Sequence, residues 1–186
     1  LPYFVKYYEY FPSTQVIPLL NAMVSGMSIA VSHYMTLCYA TTLALLPVMM
    51  VARRLGVGGK SLTYVTITLY STLPTIATWN YWVIPMSLAM TYSAYSVLAL
   101  AMYLRGGVKG HLVLSLLFGM LTVMTHPVVG AVLLGLHVAL TIAAIASRSR
   151  EHAKPLIMFS GVLSLYTIGY WHITGFYTRY LARYTR

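Results

Sequence analysis

With 186 residues, 59% hydrophobic and 8% charged side chains, the chain lies far from a soluble globular domain, in which about a quarter of residues are charged. Twelve Lys and Arg against two acids give a formal net charge of +10, which by itself would suit nucleic acid. Eight of those cations, however, fall in three short stretches between apolar runs, as membrane topology requires, and no nucleic-acid partner is expected. The composition predicts an all-α, polytopic transmembrane helical bundle in the plasma membrane, a single domain over residues 1–186 with the lipid bilayer as its first partner.

Taken in order, residues 1–15 are rich in tyrosine (Tyr3, Tyr7, Tyr8, Tyr10), carry Lys6 and Glu9, and break at Phe11-Pro12-Ser13. This reads as an outer interfacial segment, with Ser13 or Thr14 capping the next helix. No Met or signal-like stretch opens the sequence, so the chain reads as part of a longer or processed polypeptide. Residues 16–31, interrupted by Pro18, Asn21 and Gly26, predict a short helix on the outer side.

Residues 34–52 predict a span running inward to Arg53, Arg54 and Lys60, and residues 61–78 a span returning outward. Residues 82–104 are uncharged and, at about 1.5 Å per residue, cover a hydrocarbon core of roughly 30 Å before Arg105 and Lys109. Residues 112–125 would make about 21 Å of helix, short of an average bilayer. Pro127 suits the first turn of a new helix over residues 128–146, which leads to Arg148, Arg150, Glu151, His152 and Lys154. A last span, residues 155–177, ends before the basic tail 178–186. That makes about five full crossings plus one or two shortened helices. Cationic turns stay inside and Trp rings sit at the headgroups. Trp79, Trp82 and Trp171 therefore face out, and the turns at Arg105 and Arg148 face in. No internal repeat suggests the inverted halves of a secondary transporter. The lone Cys38 cannot form an internal disulfide and reads as a small buried hydrophobe.

No Asp, Glu, Lys or Arg falls inside a predicted span, which disfavours ion-coupled pumping by this chain alone. His33, His126, His137 and His172 gather toward the outer side. Two neutral imidazoles from different helices at one depth could hold haem b, and His137 with His172 are the candidate ligands. His126 precedes Pro127 at a helix break. Non-helical backbone at membrane depth survives where it is buried in protein or lines a wet cavity, so a cavity open to the outside is expected near Thr125 and His126. Arg179, Arg183 and Arg186 recur at i, i+4 and i+7. A helix would align them on one face, suited to a phosphate or to a snorkelling interfacial end.

Tyr8-Glu9-Tyr10-Phe11-Pro12, a short outer helix ending in Ser25-Gly26, a span closed by Ala52-Arg53-Arg54-Leu55-Gly56, then Trp79-Asn80, Val83-Ile84-Pro85 and Thr125-His126-Pro127 together resemble the core of archaeal polytopic membrane glycosyltransferases of the GT-C superfamily. The resemblance implies transfer of a sugar from a polyprenyl-phosphate lipid to an acceptor on the extracytoplasmic side. A carboxylate would act as general base, and arginine or a divalent metal would hold the leaving phosphate. It casts Glu9 and His126 as catalytic candidates, and Trp79, Asn80, Arg179 and Arg183 as substrate-binding candidates. The aspartate such enzymes carry in their first outer loop has no counterpart, because the sequence contains no Asp. Two other readings stand beside it: a structural or haem-carrying subunit among other membrane subunits, and an uncoupled transporter.

Overall fold

The computed structural model describes residues 13–54, 85–176 and 178. The expected span at residues 61–78, the tyrosine-rich start, the tryptophan turn around Trp79 and the arginines from Arg179 onward lie outside the described residues. Within them the chain is helical: α1 (Ser13–Ser25), α2 (Ile29–Arg54), α3 (Pro85–Gly106), α4 (Lys109–Thr125), α5 (Pro127–Ala146) and α6 (Arg150–Ile173).

Residues 16–31 do not form one short helix as expected. Helix α1 stops at Gly26, which adopts φ +70° and returns its N–H to the Ala22 carbonyl at 2.9 Å, a left-handed stop that glycine takes without steric cost. Ser28 then opens α2. Its carbonyl accepts from the Ser32 N–H at 2.9 Å and its hydroxyl from the Val31 N–H at 3.4 Å. The segments Val16–Ser25 and Ile29–Thr36 meet at 117°. Polar groups line the inside of this elbow: the Ser32 hydroxyl donates to the Pro18 carbonyl at 2.6 Å, and Asn21 Nδ2 to Thr36 Oγ1 at 3.0 Å.

Helices α3 and α4 fold back on each other around Gly107, which holds φ +66° and bonds the Tyr103 carbonyl at 2.7 Å. Midway along this hairpin the Ser96 hydroxyl donates to the Ser115 carbonyl and the Ser115 hydroxyl to the Ser96 carbonyl, both at 2.8 Å. Helices α5 and α6 repeat the device. Thr141 Oγ1 lies 2.8 Å from Ser160 Oγ and also bonds the His137 carbonyl at 2.8 Å. Thr141 and Ser160 stand 45 positions after Ser96 and Ser115, as Arg150 and Lys154 stand 45 after Arg105 and Lys109, and Thr167 after Thr122. Thr122 and Thr167 are both buried and each caps the carbonyl four residues back, at 2.8 and 2.7 Å. These residues thus recur at a spacing of 45, which the reading of the sequence did not anticipate, while the turns fall out of step with it: Arg105 lies in the last turn of α3 and Arg150 opens α6.

Helix α4 is the hub, touching α1, α3, α5 and α6. Its neighbours close two small cores. Leu100, Tyr103 and Leu156 lie toward the basic turns, and Val123, Phe159 and Leu163 toward the opposite end. Among the described residues, two helices are long and apolar enough to cross a membrane, Pro127–Ala146 and Glu151–Ile173, and a third crossing results if the bent pair is one broken span. Their outward faces stay apolar, with Val132 68% and Leu165 74% exposed, as lipid contact requires. The expected boundaries shift by a few residues. Helix α2 starts before Tyr34, α4 starts at Lys109, and α6 absorbs Pro155 in its second turn and ends at Ile173.

Candidate functional site

The corner between α4 and α5 is where the chain leaves regular structure at the end of the bundle away from the basic turns. Thr125 closes α4 with its hydroxyl on the Leu121 carbonyl at 2.6 Å. His126 is extended, φ −154° and ψ 123°. Its N–H still reaches the Thr122 carbonyl at 2.9 Å, and its carbonyl accepts the Gly130 N–H at 2.9 Å. Pro127 begins α5, where its missing N–H costs nothing. The corner is tight because Gly130 lies against Val123: a Cβ there would stand 3.0 Å from the Val123 Cα.

The His126 imidazole is partly buried, and its Nδ1 is enclosed without a hydrogen-bond partner. Burial pushes the ring below the usual histidine range, so it is neutral near pH 7 and able to take up a proton. Aromatic side chains from the end of α6 gather at the same end. Tyr166, Tyr170 and Trp171 pack on the core that contains Val123, one turn before His126. Tyr166 and Tyr170 stack at 5.9 Å, and Trp171 meets Phe176 at 5.3 Å. The arrangement offers a neutral imidazole at the same end of the bundle as a group of aromatic side chains of the kind that line ligand pockets.

The other sequence-predicted residues divide plainly. Glu9, Trp79, Asn80, Arg179 and Arg183 lie outside the described residues. His137 and His172 are described, and the fold does not bring them together. His137 is fully buried, stacked on Phe159 at 4.8 Å, with Nδ1–H donating to the Leu133 carbonyl at 2.7 Å. His172 is exposed and lies thirteen residues beyond Phe159, roughly 20 Å along the helix. Two axial ligands must face each other across one porphyrin, so haem b does not fit this pair. No cluster of three or more His, Cys, Asp or Glu able to hold a metal occurs among the described residues.

Two features escaped the sequence reading: the close approach at Gly130 and the hydroxyl pairs inside each hairpin. The second had a signal, since hydroxyl residues nineteen apart flank a cationic turn twice, 45 positions apart. No protein-family model, curated protein or solved structure matches the chain.

Proposed function

We propose that this chain is the membrane-embedded module of a glycosyltransferase of the lipid-linked-sugar type, working on the extracytoplasmic side of the plasma membrane. In this reading the bundle crosses about five times with its amino-terminal segment outside. The α4–α5 corner then opens toward the donor lipid. The supporting observation is that corner: a helix break carrying a neutral, partly buried imidazole three residues after Val123, on whose core Tyr166, Tyr170 and Trp171 pack.

The chemistry is a displacement at the anomeric carbon. An acceptor hydroxyl forms the new C–O bond as the bond to the polyprenyl-phosphate oxygen breaks. The hydroxyl proton passes to the His126 imidazole, and the phosphate leaves with the bonding electron pair. Arg179 and Arg183, one helical turn apart in sequence, suit that anion because each guanidinium offers paired donors. Trp79 and Asn80 would contact the sugar.

The test is transfer from polyprenyl phosphates bearing radiolabelled glucose or mannose, in membranes containing the full protein. His126→Ala should lower the rate by about 10²-fold or more, the range for loss of a general base, while Gly135→Ala, on the open face of α5, leaves it unchanged. Wild-type rates in His126→Ala membranes, or no transfer from any such donor, would end the proposal.

A further inference from the structure

The second helix of each hairpin carries the same residue pattern near its turn end. Lys109 opens α4, and Val113 and Leu117 follow at i+4 and i+8 on the same helix face. All three are exposed, the two apolar ones at 57% and 51%. Lys154, Met158 and Val162 stand 45 positions later in the same relation on α6, again all exposed, with Met158 at 64% and Val162 at 42%. Each set is a cation at the foot of a bare apolar strip. The strip extends about 12 Å above the cation.

Cations outnumber acids around both lysines, although Glu151 lies three residues before Lys154. Arg105 is exposed in the last turn of α3 beside Lys109, and Arg148 is exposed in the α5–α6 turn, held there at φ +55°. The only carboxylate side chain among the described residues is Glu151. A lysine ammonium over a water-facing turn needs only solvent. A lysine directly below an uncovered apolar strip, at the start of α4 and again one turn into α6, matches a ligand that is itself anionic at one end and apolar at the other.

We infer that the two hairpins carry equivalent binding sites for an anionic phospholipid. In each, Lys109 or Lys154 holds the headgroup phosphate and an acyl chain lies along Val113–Leu117 or Met158–Val162. Occupancy of these sites clamps the basic turns to the membrane leaflet they face. The inference is independent of the transfer chemistry at the other end of the bundle.

The experiment is native mass spectrometry of the full chain released from detergent micelles preloaded with equimolar phosphatidylglycerol and phosphatidylcholine. Two phosphatidylglycerol molecules should be retained per chain in preference to phosphatidylcholine. Lys109→Gln should weaken retention of one about fivefold, and Lys154→Gln that of the other, the factor that about 1 kcal/mol per membrane-facing cation implies. Lys109→Arg and Lys154→Arg, which keep the charge, should retain both. Inorganic phosphate at 10 mM should displace neither, because it lacks the acyl half. Equal retention of the two lipids, unchanged retention in both Gln variants, loss in both Arg variants, or displacement by phosphate would each overturn the inference.

Discussion

The hydroxyl of Ser96 donates to the carbonyl of Ser115 at 2.8 Å, and the hydroxyl of Ser115 returns the bond to the carbonyl of Ser96 at the same distance. Both side chains are fully buried, so the pair joins α3 to α4 by groups that have no water to turn to. Interhelical hydroxyl bonds inside membrane bundles contribute about 0.6 kcal/mol on average and at most about 1.7. Ser115→Ala should cost that much in reversible unfolding from mild detergent. Thr141→Val, which removes the equivalent pair with Ser160, should cost a similar amount. A loss above about 3 kcal/mol in either would mean that the pairs do more than link two helices.

Gly130 and Gly135 lie five residues apart on α5, on different faces, and should answer differently to alanine. At Gly130 the new methyl would meet the Val123 backbone at 3.0 Å, and backbone cannot rotate away, so the α4–α5 corner must open. A cost of about 1–3 kcal/mol is expected, as for other overpacked sites. At Gly135 nothing lies within 4 Å, and alanine should be neutral or stabilise the helix by up to about 1 kcal/mol. Thermal unfolding of the two variants side by side decides the matter; equal shifts would contradict the close approach.

His126 makes stability pH-dependent in a defined direction. Its folded-state pKa lies below the ordinary 6.5, so the folded chain binds fewer protons than the unfolded chain as pH falls. Its contribution is complete above about pH 6.5. It is lost as pH falls from there toward the folded pKa, with a slope of at most about 1.4 kcal/mol per pH unit, and is flat below that. Comparing wild type with His126→Gln between pH 7.5 and 5 isolates this contribution. The variant should lose less stability over that interval, and parallel curves would show that the imidazole is not held neutral.

The proposed orientation yields to labelling. In a background where Cys38 is alanine, cysteine at Val108, 54% exposed in the α3–α4 turn, should resist a maleimide confined to the cell exterior. Cysteine at Thr178, exposed past the end of α6, should react. The reverse pattern would place the α4–α5 corner on the cytoplasmic side and remove the site from its expected donor.

Much of the fold was legible along the chain because the bilayer imposes it locally. A long uncharged run must be helical, since hydrocarbon leaves backbone groups no other partner, and Pro127 announces its corner through its fixed φ. Thus the boundaries of α5 and the restart at Pro127 followed from residue order. The elbow at Gly26 did not, because a single glycine within sixteen mostly apolar residues is also tolerated in a continuous helix.

What needed the tertiary structure is everything that depends on which face of one helix meets another. Apolar residues surround α5 and α6 on nearly every side, so periodicity could not say that His137 is sealed against Phe159 while His172 faces outward, and the two histidines looked equivalent in sequence. Nor could it pair Ser96 with Ser115 and Thr141 with Ser160, since a serine within an apolar run reads the same whether it bonds its own helix or the next. Sequence alone determined that the chain is helical and built to meet lipid, through local hydrogen-bond satisfaction and hydrophobicity. Helix packing alone decided which polar groups are partnered and which imidazole is half enclosed at a corner, because those depend on rotations about helix axes that no residue specifies by itself.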